Sequence, residues 1–317
     1  MTAFLLHGAT LAFAWFLLLN LAATAGVAFV SARLTRRGRP APAGLWLALR
    51  LAPAALSIAF VAIVFLPSYW RYEPRQDVEG FDVTLTTLAF LAMAVLGAAV
   101  VRGVTAWRGA ARRAAGWMGA ARPLSLAGAP MPAFAIDADV PVMALVGVLR
   151  PRLMITRPVL DALTHEELDA SVAHELGHWR AWDNLKRLAM RAAPDLLWAS
   201  AAARLLERRW AAASEHLADR GAGDNERERC ALASALVKVA RLTAPAAAVT
   251  EPTSALVDGG DITARVQRLL EDAPSDPGRR SPRWQMLAVM ASVFVLGYSP
   301  LLRGVHVVTE MLVSSLP

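Results

Sequence analysis

Cysteine is almost missing from this chain of 317 residues: Cys230 is the only one. A lone thiol excludes an internal disulfide, and with it the small disulfide-stapled secreted folds; it suits a reducing compartment. Cys230 itself reads as a small buried apolar residue. Lysine is nearly as scarce, at Lys186 and Lys238 alone, so the net charge of +7 is carried by arginine. Neither lysine follows a serine by three residues, which excludes any Ser-x-x-Lys acylation motif. Charged residues make up 19% of the chain, below the roughly 25% of soluble domains. There is no internal repeat.

Apolar sequence is what the chain has in excess. Hydrophobic residues reach 56% and the mean hydropathy is +0.40. Four stretches hold the excess: residues 4–30, 45–66, 83–101 and 286–302. A bilayer is crossed by about 20 apolar residues. The first three stretches suffice; the fourth is short, with Trp284 and Tyr298 placed as interfacial anchors. The first is too long for the roughly 7–15-residue core of a signal peptide, and no basic segment precedes it.

Arginine sets the expected orientation. Arg33, Arg36, Arg37 and Arg39 follow the first stretch, Arg102, Arg108, Arg112 and Arg113 the third, and Arg279, Arg280 and Arg283 precede the fourth. The loop after the second mixes Arg71 and Arg75 with Glu73, Asp77, Glu79 and Asp82. The positive-inside rule then puts residues 31–44 and 102–284 in the cytoplasm and both termini outside. The expected fold is mainly α: a four-span membrane helical domain with a cytoplasmic α+β domain. Its divisions are 1–104 for the first three spans, 105–283 for the cytoplasmic domain, and 284–317 for the fourth span and a short external tail. The basic excess lies beside the spans, where it attracts anionic lipid head groups. The bilayer is the expected partner, and direct nucleic-acid binding is not expected. Residues 106–121, with Trp107, Arg108, Arg112, Arg113 and Trp117, are expected either along the membrane surface or as a solvated linker helix.

The cytoplasmic part carries the chemistry. His174-Glu175-Leu176-Gly177-His178 is an H-E-x-x-H motif, rare by chance in a chain with six histidines. On a helix the two histidines lie one turn apart on one face and can hold one zinc ion, with Glu175 beside it as general base. Helical context is supplied by Thr164 and Glu167, spaced as a capping box, and by the apolar row Leu168, Val172, Leu176 and Trp179. A third ligand is needed. Ser214-Glu215-His216-Leu217-Ala218-Asp219 provides Glu215, with Asp219 four residues on as the acceptor that orients a ligand histidine through its other ring nitrogen. His216 is the rival ligand, turned about 100° from Glu215 on a helix. His165 and Arg180 read as solvated or structural.

Around the motif, Ala133–Ile136, 142–148 and Arg152–Thr156 read as strands of a small sheet. One of them is expected either to bind substrate as an edge strand or only to pack. Helices are expected over 164–182, 184–193, 195–221, Glu226–Leu242 and 262–270, with Pro194 as a break and 272–283 as a linker. The apolar run 196–203 is too short to span; burial in the soluble core is favoured over docking on the membrane helices.

Taken in order, Arg150-Pro151-Arg152-Leu153-Met154-Ile155, Leu163 to Leu168, the H-E-x-x-H, Leu197-Trp198, Glu215 with Asp219, and 262–270 with Arg265 resemble the membrane metallopeptidases of the BlaR/MecR type. The span layout matches as well. The resemblance implies a gluzincin-like domain in a multi-pass bacterial cytoplasmic-membrane protein. It implies Zn²⁺ held by His174, His178 and Glu215, and Glu175 as catalytic base. The implied substrate is a protein or peptide segment at the cytoplasmic face, either a cytosolic transcriptional repressor or the chain's own loop. Two departures stand out. The family often has cysteine where Ala218 stands, and its best-known members carry a penicillin-binding sensor after the fourth span. Without that sensor or a Ser-x-x-Lys, no β-lactam partner is expected. Two alternatives are a housekeeping peptidase of the Ste24/HtpX type and a non-catalytic scaffold or receptor with a relic zinc site; an intact Glu175 argues against the latter.

Overall fold

The structure, a computed structural model, describes residues 1–37, 41–75, 82–119, 121–126, 130–223, 225–242, 254–255, 262–271 and 284–315, without the side chains of 254–255 and 284–296. Arg39, Asp77, Glu79, the 272–283 linker with its arginines, and the apolar side chains of 286–296 lie outside the described residues.

Three helices begin the chain. They are α1 (Thr2–Arg36), α2 (Ala43–Phe60), which runs through a π-turn (Val61–Phe65) into α3 (Leu66–Tyr72), and α4 (Val83–Met118). Asp82 caps α4 by accepting from the backbone N–H groups of Thr84 and Leu85. By length and composition, Thr2–Arg36, Ala43–Tyr72 and Val83–Met118 can each cross a membrane. Small residues bring them together: a Cβ on Gly8 would meet the Tyr69 ring at 2.5 Å, and Tyr69 donates to Phe4 O at 2.8 Å. The helix holding the fourth stretch, designated α11 (Trp284–Ser314), runs well past 302. Ser68 Oγ donates to its Leu302 O at 2.6 Å, and Trp15 Nε1 donates to its Thr309 Oγ1 at 3.1 Å.

Residues 106–118 are helical and exposed or half-buried at all but one position, as a solvated linker helix would be, but they do not form an element of their own. They are the last turns of α4, which is unbroken for 36 residues, or about 54 Å. The Ala- and Arg-rich sequence favours helix strongly enough to carry it past the apolar stretch.

The sheet has the order β1-β2-β4-β3-β5, from β1 (Ala121–Leu124), β2 (Ala133–Ile136), β3 (Met143–Val146), β4 (Arg152–Thr156) and β5 (Ser254–Ala255). Only β2 and β4 are parallel; the other pairs are antiparallel. Both faces are covered, so β3 is buried at every residue. Met143, Leu145, Leu153 and Ile155 face a core shared with the helices designated α6 (His165–Arg180), α9 (Glu226–Leu242) and α10 (Ile262–Glu271). Ala144, Val146 and Met154 face Ala114, Trp117 and Met118 at the end of α4. All three expected strands form, but none is an open edge: β1 covers β2, β4 lies between β2 and β3, and β5 meets β3 at Ala144 and Leu145.

After α5 (Arg157–Ala162), α6 begins at Thr164 with a complete capping box. Helix α7 (Asp183–Ala192) ends before Pro194. The expected single helix over 195–221 is two pieces: a 3₁₀ turn (Leu197–Ala199) and α8 (Ala201–Gly221). Asp195 and Ser200 break it by capping Trp198 N and Ala203 N. The apolar run docks on the long N-terminal apolar helices, contrary to expectation: Leu197 and Ala203, with Leu206 and Trp210 further along α8, pack with Val27, Ala43 and Trp46 of α1 and α2. Cys230 is exposed rather than buried; the core side of α9 is the row Leu232, Leu236 and Val239.

Candidate metal centre

The capping box does more than start α6. Thr164 N donates to Glu167 Oε2 at 2.8 Å, and Ser234 Oγ and Lys238 Nζ of α9 donate to the same carboxylate at 2.6 and 2.7 Å. The helix carrying H-E-x-x-H is thereby fastened to its neighbour by its own first turn. Burial pushes the Glu167 carboxyl up, but these three donors overcome it and hold it at about 2.

One turn apart on α6, His174 and His178 bring their Nε2 atoms within 3.3 Å of each other. Glu215 of α8 faces both: Oε2 is 3.5 Å from His174 Nε2 and Oε1 is 3.4 Å from His178 Nε2. All three are buried, and their ligand atoms lie within 4.8 Å of one another. The helices can cross this closely because residue 177 is glycine. A Cβ there would stand 3.1 Å from Ala218 Cα and 3.3 Å from Ala218 Cβ.

Carboxylates stand behind both rings. Asp219 Oδ1 is 3.0 Å from His174 Nδ1. Asp183 Oδ2 is 2.8 Å from His178 Nδ1, accepts from Ser214 Oγ, and its Oδ1 accepts from Lys186 Nζ at 3.1 Å. Sequence reasoning missed Asp183. It follows His178 by five residues, beyond the end of α6, and is turned back by Trp182, a non-glycine residue at φ 57°. Arg265 of α10, noticed only through resemblance, closes the cluster. It donates to Asp219 through Nε and Nη2 at 3.0 and 2.6 Å and lies 3.1 Å from Glu215 Oε2 through Nη1.

Glu175 is 1% exposed, and neither carboxylate oxygen has a hydrogen-bond partner among the described residues. Burial pushes its pKa up to about 7, against the pull of His178 and His174. Glu215 is also buried, but the histidines hold it well below the carboxylate range. His216 is half-buried and outside the convergent group; His165 and Arg180 are exposed.

With both Nδ1 atoms taken by carboxylates, the two Nε2 atoms face each other at 3.3 Å, and among the described residues neither Glu215 oxygen accepts a well-aligned hydrogen bond. A buried group of this composition fits a cation, and two histidines with one carboxylate fit zinc. The family comparison agrees: residues 119–279, just over half of the chain, match Peptidase family M48. No curated protein matches the chain.

Proposed function

The chain belongs to peptidase family M48, and from that premise we propose that it is a zinc-dependent endopeptidase cutting a protein segment at the cytoplasmic face of the membrane. The observation that carries the reading is the buried convergence of His174, His178 and Glu215, each histidine backed by a carboxylate. In this reading those three hold the ion. When bound, zinc supplies Lewis-acid polarisation of water and of the scissile carbonyl. Glu175 takes the proton of the attacking water and delivers it to the leaving amine. Asp183 and Asp219 hold the imidazoles by Nδ1 so that Nε2 points inward. Arg265 keeps Glu215 and Asp219 in place.

The three long apolar helices imply membrane insertion. The multi-pass layout, with domains 1–104, 105–283 and 284–317 and both termini outside, is part of the proposal and rests on the arginine asymmetry. So is the substrate. The BlaR/MecR-type resemblance favours a cytosolic repressor or the chain's own loop. Glu215 and Asp219, four apart and both turned into the centre, equally fit the Ste24/HtpX pattern of membrane-protein quality control.

The test is Glu175→Gln in the purified full-length protein. Zinc stays bound, because Glu175 is not a ligand, while peptide cleavage falls by about 10²–10⁴-fold, the usual cost of losing a general base. Undiminished cleavage would overturn the mechanism. Proteomes of cells with wild type and with Glu175→Ala separate the substrates: one accumulating regulator supports the signalling reading, many accumulating membrane proteins the housekeeping one.

A further inference from the structure

The connection between α7 and α8 is gripped from the membrane side by three polar side chains, one from each long apolar helix. Asn20 of α1, fully buried, donates to Pro194 O at 2.9 Å and accepts from Leu196 N at 3.0 Å. Arg102 of α4 donates to Ala193 O at 2.8 Å. Arg50 of α2 makes the broadest contact. Its Nη1 meets Asp195 Oδ2 at 2.9 Å, its Nε meets Glu207 Oε1 at 2.9 Å, and its Nη2 donates to Met190 O at 2.8 Å. Arg50 is 1% exposed and Asp195 is 0% exposed. A buried guanidinium in an apolar helix is costly unless fully partnered, and such groups mark function more often than stability.

The geometry shows what the grip controls. Met190 is in the last turns of α7, whose first residue is Asp183, the carboxylate behind His178. Glu207 is on α8, two turns before Ser214 and Glu215. At one end, α7 and α8 are tied by Ser214 and Asp183; at the other, by Arg50 spanning Met190, Asp195 and Glu207. We propose that Arg50 is a positioning residue for the metal centre. By locking α7 to α8 it fixes Asp183 against His178 and Glu215 against both histidines, so helix α2 sets how tightly the ion is held. The proposal rests on the reading of His174, His178 and Glu215 as ligands.

The test measures zinc affinity of the full-length protein in nanodiscs, by competition with a chromophoric chelator, beside thermal unfolding. Arg50→Met weakens zinc by about 10-fold, the low end of what loss of a ligand's own hydrogen-bond partner costs. Arg50→Lys, which keeps the charge but not the fork, falls between it and wild type. Glu207→Gln, which keeps an acceptor for Arg50 Nε but removes the charge from that contact at a partly exposed site, weakens zinc by roughly 2–3-fold, a small fraction of that range. Trp46→Ala is the control. Trp46 packs in the apolar cluster that α1 and α2 share with Met190 of α7 and with α8, but its one polar contact is an indole N–H bond to Ala41 O, so its loss leaves every polar tie between α7 and α8 in place; it lowers the melting temperature and leaves zinc affinity unchanged. The total loss in the Ser214→Ala, Arg50→Met double variant exceeds the product of the two single losses, since both ties between α7 and α8 are then gone. Wild-type affinity in Arg50→Met overturns the proposal, as does Trp46→Ala weakening zinc equally. If Arg50→Met does not fold, wild-type affinity in both Arg50→Lys and Glu207→Gln overturns it. A wild-type protein that binds no zinc sinks the ligand reading and this proposal together, whereas zinc binding indifferent to Arg50 sinks the proposal alone.

Discussion

Asp183 reaches His178, Ser214 and Lys186 from a position that no count of helical turns predicts. The proposed ligands could be picked out because H-E-x-x-H and Glu215-x-x-x-Asp219 repeat at the helical period, and the period alone puts each pair on one face. Asp183 was not, because Trp182 leaves the helix in a left-handed conformation that sequence periodicity does not encode. Asp183→Asn is expected to lower zinc affinity by about 10–100-fold, and His216→Ala to leave it unchanged; metal titration of the two variants checks both. Glu167 makes a separate prediction about acid. Its carboxyl is held at about 2, below the roughly 4.3 of an unfolded glutamate. Its contribution is therefore fully present above about pH 4.3 and is lost as pH falls through that value towards 2. Because Lys238 is partly exposed, that contribution is about 1–2 kcal/mol rather than the full unscreened shift. Denaturation of wild type and Glu167→Gln should differ at pH 7 and converge near pH 2.

The crossing of α6 and α8 depends on Gly177, and here the element is the right unit. Gly177→Ala puts a methyl 3.1 Å from Ala218 Cα, so the helices must part by a few tenths of an ångström. Overpacking of this kind costs about 1–3 kcal/mol, and here it also separates Glu215 from the histidines. Zinc affinity should fall with stability, and adding Ala218→Gly should recover part of both in a metal titration. Among the strands, β2, β3 and β4 were legible as short apolar runs between prolines. Strand β1 was not: Ala-Arg-Pro-Leu carries a proline that suits only an outer strand. Strand β5 has two residues, too few for any pattern. The break at Ser200 was also hidden, because Ser and Asp caps compete with an Ala-rich helix only where packing lets them.

At the scale of the molecule, the apolar helices could be read directly from length, but the contacts of residues 196–203 with them could not. Docking joins segments about 150 residues apart, and one sequence carries no record of such pairs. Orientation is open to a simple measurement, since the single cysteine, Cys230, is exposed. A membrane-impermeant thiol reagent should label it only in inverted vesicles, whereas Ser314→Cys in a Cys230→Ser background should be labelled on intact cells. Labelling of Cys230 on intact cells would reverse the orientation.

Helix α4 is about 54 Å long, against a hydrocarbon thickness of about 30 Å, so in the proposed membrane layout close to half of it stands clear of the bilayer as a mast of fixed height. Its lower part holds α7 where Gly103 meets Ala192, and its top holds the sheet through Ala114, Trp117 and Met118. Asn184 at the start of α7 in turn donates to Leu145 O and Gly147 O beside β3. The loop is closed, and the distance between the two grips on the mast must equal the distance from α7 to the sheet. A four-residue insertion between Thr105 and Ala111 would lift and turn the sheet by about 6 Å and 40° while α7 stayed with the lower part of α4, pulling Asn184 away from β3 without altering His174, His178 or Glu215.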